Sequence, residues 1–191
     1  TSDWENPNPR ALNGISGATA IAAGGTTGYA LVGGEVKAWG AGNVGQLGNN
    51  ATANAEIPVT VSGITGVTSI AGTGASAYAL SPAGLSAWGN NDSGQLGDGT
   101  TRDRSTPAPI PGLTGVTQIS AGQGTFYALK SDKTLWALGA TNVNGQAGVG
   151  IAENKLIPLT QVINGTDVAY VAGRIRGGHF IKTDGSVWSW G

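Results

Sequence analysis

The sequence predicts an all-β fold made of four similar units, each of which forms a small antiparallel sheet. One observation behind this prediction is a repeated pair of motifs, Trp-Gly followed by Gly-Gln-Leu-Gly. Another is that the segments between the motifs are short, rich in Val, Ile, Thr, Tyr and Trp, and bounded by Gly, Pro, Asn or Asp. Segments of this kind favour strands. Because no stretch has the apolar spacing of a helix, we expect almost no α-helix.

The units follow one another at a nearly constant interval. An Ala-Gly pair ends at Gly24, Gly72, Gly122 and Gly173, in steps of 48, 50 and 51 residues. The aromatic segment after it recurs as Tyr29-Ala30-Leu31, Tyr78-Ala79-Leu80, Tyr127-Ala128-Leu129 and His179-Phe180-Ile181. Each unit closes at Trp39, Trp88, Leu138 or Trp190, with a glycine immediately after it. A period of about 50 residues is typical of solenoids and propellers.

The repeat divides the chain into an N-terminal arm and four units. Residues 1–8 match nothing later and are predicted to be an arm or the remnant of a preceding loop, and the units span 9–57, 58–106, 107–157 and 158–191. Each unit is predicted to hold four strands: one after a proline, one ending at Ala-Gly, one around the aromatic segment and one ending at Trp-Gly. Short turns such as Asp184-Gly185 join the last two strands. A four-stranded meander of this length describes a propeller blade.

The order of the motifs resembles the repeat of the regulator of chromosome condensation family, from about Pro9 to Gly191. The resemblance implies a β-propeller of four-stranded blades, seven in the complete ring, of which this chain supplies four. The third unit departs from the pattern, because Leu138 replaces Trp and Ala147 replaces Leu. The histidine that the family often carries before the third strand's leucine is also missing. Its positions hold Thr27, Ser76, Thr125 and Gly177.

The repeated positions are interpreted as structural. A buried Trp can anchor one blade against the next while its N–H finds a carbonyl, and the glycine after it permits a sharp exit from the strand. The Gly-Gln-Leu-Gly loop is expected to point its Leu inward and to use its Gln to bond backbone groups. These structural positions are Trp39, Gly40, Gln46, Leu47, Trp88, Gly89, Gln95, Leu96, Gln146, Trp190 and Gly191.

Four blades in an open array leave two apolar blade faces uncovered, which favours association. The chain is therefore expected to belong to a longer polypeptide, to assemble with other chains, or to close as a tight four-bladed ring. Either further copies of itself or a different protein could supply the missing blades.

Composition excludes several classes of function. Charged residues make up 11% of the chain and its net charge is −1, so nucleic acid is not an expected partner. No apolar run approaches the length that a membrane helix needs. Cysteine is absent, which excludes thiolate metal sites. The low-charge, Gly- and Thr-rich surface predicts an extracellular or cell-surface location, with the cytoplasm as the alternative, for a mature product or an excised fragment without a signal peptide.

The sequence offers little catalytic chemistry. His179 is the single histidine and stands where other units have Tyr, so a structural role is expected. Asp92, Asp98 and Asp103 share one loop, but their spacing does not match a calcium loop. Glycine-rich segments such as residues 22–28 lack the Lys-Ser/Thr of a phosphate loop. We therefore predict no catalytic residue, no cofactor and no metal.

Surface recognition is the favoured function, because propellers present loops on a rigid scaffold. Candidate partner contacts are Arg102, Asp103 and Arg104, the densest charges in the chain, Arg174 and Arg176, which break the repeat pattern, and Trp4 in the arm. The chain is predicted to be a non-catalytic protein-binding or assembly-forming module of a larger secreted or surface protein. A secreted inhibitor, similar to the propellers that inhibit β-lactamases, is the alternative. A nuclear GTPase exchange factor or a propeller enzyme is less favoured, since the chain has few blades, no basic tail and a pI of 5.7.

Overall fold

The computed structural model describes residues 11–139, 142–153 and 157–191. Within these ranges the regular structure is β-strand, joined by turns and bends, without a helix. The strands are β1 (Ala18–Ala23), β2 (Thr27–Val32), β3 (Glu35–Gly40), β4 (Ala55–Thr60), β5 (Ser69–Gly72), β6 (Ser76–Ser81), β7 (Gly84–Gly89), β8 (Arg104–Pro109), β9 (Val116–Ala121), β10 (Thr125–Lys130), β11 (Leu135–Gly139), β12 (Ile157–Gln161), β13 (Val168–Arg174), β14 (Gly177–Lys182) and β15 (Val187–Trp190).

The strands form four antiparallel sheets, which are the blades of a partial propeller. The first three sheets have the orders β1-β2-β3-β4, β5-β6-β7-β8 and β9-β10-β11-β12, and the fourth has the order β13-β14-β15. Each innermost strand packs against the next one, β1 on β5, β5 on β9 and β9 on β13, while no comparable packing joins β13 to β1. The all-β propeller predicted from the repeat is confirmed, and its ring is open.

The strands group differently from the predicted units. The strand after each opening proline was expected to begin a new blade, but it pairs with the Trp-Gly strand before it, as Thr60 does with Lys37 and Val59 with Ala38. It is therefore the outer strand of the preceding blade. Outer strands tolerate proline because their free edge needs no N–H donor, which explains why Pro58, Pro107, Pro109 and Pro158 all lie in outer strands.

The inner hairpins have the turns that the sequence indicates. Val32 pairs with Glu35, and Gly33 and Gly34 between them have φ angles of 56° and 83°. Two successive residues with positive φ form the turn whose twist suits a two-residue hairpin. Residues 184 and 185, predicted as a hairpin turn, likewise connect β14 to β15.

The hydrophobic core lies between neighbouring blades. We call the blade side that carries Tyr29, Tyr78, Tyr127 or His179 the Tyr side, and the side that carries Trp39, Trp88, Leu138 or Trp190 the Trp side. The Tyr side of each of the first three blades packs against the Trp side of the next one. The Trp side of the first blade and the Tyr side of the fourth have no covering blade among the described residues.

Candidate partner-binding site

All the predicted arginine contacts lie at one end of the propeller. Thr27 at the start of β2 pairs with Gly40 at the end of β3, so the β1–β2 and β3–β4 connections emerge together. The same geometry applies to the other blades. We call this the loop end. It carries the inner connections 24–26, 73–75, 122–124 and 175–176 and the long outer loops that contain the Gly-Gln-Leu-Gly motif.

The glutamines of the outer loops hold their own loops together. The Gln46 side chain accepts a hydrogen bond from the Val44 N–H at 2.9 Å and donates one to Asn43 Oδ1 at 3.1 Å. Its main-chain oxygen accepts the Tyr29 hydroxyl at 2.8 Å. Burial raises the pKa of Tyr29, against the opposing effect of its hydrogen bond with Thr27, so the hydroxyl remains a donor. The repeated Gln and Tyr therefore stabilise the fold of their own blade.

The same carbonyl also joins neighbouring blades. The Trp88 indole N–H of the second blade donates to the Gln46 oxygen of the first at 3.0 Å. The indole of Trp190 in the fourth blade donates to the Gln146 oxygen of the third at 2.7 Å. Between the second and third blades, Gln95 accepts the Tyr78 hydroxyl, and Leu138 stands where the indole would be. The repeated Trp therefore joins one blade to the preceding blade through a hydrogen bond.

The loop that contains three of the predicted contacts is internally bonded. The Asp98 carboxylate accepts hydrogen bonds from the Thr100 N–H at 2.9 Å and the Thr100 hydroxyl at 2.8 Å, and it forms an ion pair with Arg104 at 2.5 Å. Partial burial alone would raise the pKa of Asp98, but these bonds outweigh it and lower the pKa to about 2. Arg104 is therefore committed to its own loop.

Asp103 has a similar internal use. Its Oδ1 accepts the Asn91 N–H at 2.7 Å, and the buried Asn91 side chain in turn donates to Asp98 and Thr100. Among the described residues, no group of three or more His, Asp or Glu side chains is arranged to hold a metal ion. Of the three predicted contacts in this loop, Arg102 is exposed, whereas the side chains of Asp103 and Arg104 are hydrogen-bonded within the loop.

The inner connections of all four blades surround a cavity at the hub of the loop end. It has a volume of about 460 Å³ and is lined largely by glycine, including Gly25, Gly74 and Gly122, together with Gln123 and Arg174. Glycine is needed here because the innermost strands converge. A Cβ on Gly72 would lie 2.6 Å from the Ala23 carbonyl oxygen, for example. The sequence analysis missed this cavity, although the recurring small residues after each innermost strand signalled it.

The fourth blade places three exposed side chains, Arg174, Ile175 and Arg176, beside this cavity. The Arg174 guanidinium lies 3.4 Å from the Trp190 oxygen and 3.5 Å from the Gly191 oxygen. Trp4, the remaining predicted contact, lies outside the described residues. The structure thus brings Arg102, Arg174 and Arg176 to the same end of the propeller, and assigns Asp103 and Arg104 to internal bonds.

His179 lies within β14 rather than in a loop of this end. It occupies the Tyr position of the fourth blade, where it pairs with Ser189 and is exposed on the uncovered Tyr side. In the part of the chain that the structure describes, no helix is long and apolar enough to cross a membrane.

Comparison with known proteins connects this architecture to a family. The model of the regulator of chromosome condensation (RCC1) repeat matches residues 33–80 and 85–129. No curated protein is significantly similar to the sequence.

Solved structures share the fold. Yeast RCC1 (Prp20) bound to Kap60 superposes with a TM-score of 0.75 at 22% identity, covering 94% of this chain and 45% of that one. Human WBSCR16 superposes with a TM-score of 0.77 at 21% identity, covering 91% and 47%. The chain therefore spans less than half of each of these propellers. The repeat match and the shared blades agree: residues 33–80 and 85–129 match RCC1 repeats, and the chain folds as four blades of an RCC1-like β-propeller.

Proposed function

We propose that the chain is a non-catalytic protein-binding module that uses its loop end to hold a partner. One observation carries the proposal: four inner connections surround a single cavity with Arg174, Ile175 and Arg176 exposed beside it. Blades fastened by buried Trp and Tyr hold these loops rigid, so little conformational entropy is lost when a partner binds.

The exposed side chains beside the cavity suit a partner that presents carboxylates around an apolar residue. Guanidinium groups bind carboxylates in a bidentate manner, and Ile175, which is 66% exposed, offers an apolar contact between two of them. Arg102 adds a cation at the same end. An acidic loop of a partner protein fits this arrangement better than a small substrate, because no acid–base pair lines the cavity.

The loop end can be tested against the opposite end with matched variants. Arg102→Ala/Arg174→Ala/Arg176→Ala removes three cations from the loop end, and Lys130→Ala/Lys133→Ala/Lys182→Ala removes three from the turns at the other end. A partner captured by the wild type, identified and purified, should bind the first variant at least about 10-fold more weakly and the second with unchanged affinity. Equal affinity for all three proteins would refute the proposal.

A second candidate partner class follows from the fold likeness to Prp20, whose structure from Saccharomyces cerevisiae is described with its binding to Gsp1p and histones. Purified Gsp1p and core histones are the probes. Saturable binding of Gsp1p that the loop-end variant weakens would favour an exchange-factor-like role. Absence of binding at a concentration of about 100 μM would remove this candidate.

We also propose that the chain works within a larger, secreted or surface-exposed propeller. Its two uncovered blade sides and its coverage of 45% and 47% of the similar structures support association with further blades. The low charge and the Gly- and Thr-rich composition support export. Fractionation of the producing cells tests the location, and recovery of the protein with the cytoplasmic fraction would contradict it.

A further inference from the structure

We propose that Gln118 and Ser120 are positioning residues of the loop-end site, which hold strand β13 so that residues 174–176 stand beside the hub cavity in the orientation that binds a partner. This inference rests on the proposed function of the loop end. Both residues lie on β9 of the third blade, 53 residues before the backbone groups that they bond in the fourth. We call them the bridging pair.

The bridging pair bonds the free edge of an innermost strand. Strand β13 is paired with β14 on one edge, and its other edge faces β9. The Gln118 side chain donates to the Val171 oxygen at 3.1 Å and accepts the Val171 N–H at 3.2 Å. The Ser120 hydroxyl accepts the Gly173 N–H at 2.8 Å. Three hydrogen bonds from side chains therefore satisfy backbone groups that an edge strand leaves without a partner strand.

The bridging pair is particular to the interface between the third and fourth blades. In β9, Gln118 pairs with Leu129 and Ser120 pairs with Tyr127 across the strand. The positions with the same pairing in the two preceding blades are Ala20, Ala22, Ser69 and Ala71. Three of these four are alanine, which has no polar side-chain atom. A bridge from two neighbouring side chains is therefore possible only at the interface that precedes the arginines.

The hydrogen bonds of the bridging pair end where the exposed arginines begin. Arg174 pairs with Gly177, so residues 175 and 176 are the whole turn between β13 and β14. The inner connections of the other three blades have three residues each. Because the two-residue turn is shorter, the direction in which Arg174 and Arg176 point depends closely on the position of β13. The bridging pair fixes that position.

Close backbone packing beside the bridging pair restricts β13 from the other direction. A Cβ on Gly173 would lie 2.6 Å from the Ala121 carbonyl carbon, and a Cβ on Gly122 would overlap the Arg174 carbonyl oxygen. Strands β9 and β13 are therefore in contact at the hub, which prevents β13 from moving closer to β9. The three hydrogen bonds oppose its movement away. Together they define one position for residues 174–176.

Hydrogen exchange tests the positioning of β13 on the chain without a partner. In Gln118→Ala/Ser120→Ala we expect the two amides that lose their acceptors to exchange at least about 10-fold faster than in the wild type. Backbone order parameters of the turn after β13 should fall as well. Ser69→Ala is the matched control, because Ser69 has the position of Gln118 in the second blade, and it should change neither quantity. Unchanged exchange and order in the double variant would overturn the proposal.

Single variants give the same comparison if the double variant does not fold. Ser120→Ala should accelerate exchange at the Gly173 amide, whose acceptor it removes. Ser120→Thr keeps the hydroxyl and should restore slow exchange there. Fast exchange in both variants would show that the hydroxyl does not hold β13, which would overturn the role of Ser120.

A double-mutant cycle distinguishes positioning from a general loss of stability. The probe is the partner purified for the comparison of the two ends. We expect removal of the bridging pair to weaken binding about 5-fold in the wild type but less than about 2-fold in Arg174→Ala/Arg176→Ala. In Arg102→Ala the full loss should remain, because Arg102 lies between β7 and β8 of another blade. Equal losses in all three backgrounds would mean that the pair acts through stability alone and would overturn the proposal.

The same measurements separate this proposal from the proposed function. If the variant without Arg102, Arg174 and Arg176 binds the partner with wild-type affinity, the loop end is not the binding surface and both proposals fail. If that variant binds weakly while removal of the bridging pair leaves the affinity unchanged, only the role of the bridging pair is refuted.

Discussion

Phe126 lies directly across the hairpin from Leu138 in the third blade. In this blade the larger residue of the pair lies on β10, whereas in the other blades it lies on the Trp-Gly strand. The corresponding pairs are Gly28 with Trp39, Ala77 with Trp88 and Gly178 with Trp190. Where Trp is present its neighbour must be small, since a Cβ on Gly28 would enter the Trp39 ring. Where Leu replaces Trp, Phe126 fills the space and stacks on Tyr78 with ring centres 4.1 Å apart.

This compensation predicts strong coupling between the two positions. Leu138→Trp alone should destabilise the fold by about 1–3 kcal/mol through overpacking, and Phe126→Ala alone by about 3–5 kcal/mol through a cavity. The double variant recreates the Ala-Trp pair of the second blade and should be less destabilised than Phe126→Ala. Denaturant unfolding of the four proteins measures the coupling, and additive effects would show that the exchange of sizes has no energetic basis.

The hydrogen bond of Trp88 between blades predicts that losing this indole N–H lowers the stability of the fold. Trp88→Phe should lower the free energy of unfolding by about 1–3 kcal/mol, because it removes a buried hydrogen bond to Gln46 and some packing. Trp136→Phe is the matched control, since that indole bonds to the Thr134 hydroxyl at the half-exposed rim, and it should cost less than about 1 kcal/mol. Equal losses would contradict the interpretation of Trp88 as an anchor between blades.

The hub predicts that two glycines, only two residues apart, differ in how well they tolerate replacement by alanine. Gly72→Ala should destabilise by about 1–3 kcal/mol, because its Cβ would meet the backbone of residues 23 and 24 at under 3 Å. Gly74→Ala places its Cβ in open space, with no atom within 4 Å, and should change stability by less than about 0.5 kcal/mol. Thermal unfolding distinguishes them, and a tolerated Gly72→Ala would mean that the innermost strands can separate at little cost.

The hydrogen bonds and the ion pair of Asp98 predict that the stability of the fold depends on pH. Its pKa in the folded chain is about 2, below the value of about 3.9 in an unfolded chain, so it stabilises the fold above pH 4. That contribution is lost as the pH falls from about 4 to about 2. The wild type should therefore lose more stability over this interval than Asp98→Asn, in which the other carboxylates are unchanged. Parallel stability curves for the two proteins would contradict the prediction.

Much of the fold could be predicted because its signals are local. The period of the Ala-Gly, Tyr and Trp-Gly positions, and turn residues such as Gly33-Gly34, depend on neighbours in sequence and define strands and hairpins without tertiary information. The grouping of strands was misjudged because β4 follows β3 only after a loop that spans residues 41–54. A pairing across such a loop leaves no local signature.

The candidate site was predicted only in part for the same reason. Sequence reasoning found the arginines that interrupt the repeat, but the ion pair that commits Arg104 to Asp98 and the bond that commits Asp103 to Asn91 arise from the folding of one loop. The hub cavity combines four connections that are about 50 residues apart in the chain.

The sequence by itself determined the strands, the repeat and the four blades, because periodicity and turn chemistry act over a few residues. The tertiary structure alone decided which strand completes which blade, which carbonyl receives each indole and which charges stay exposed. Those outcomes depend on groups that meet through space, where one carbonyl can bond a Tyr of its own blade and a Trp of the next.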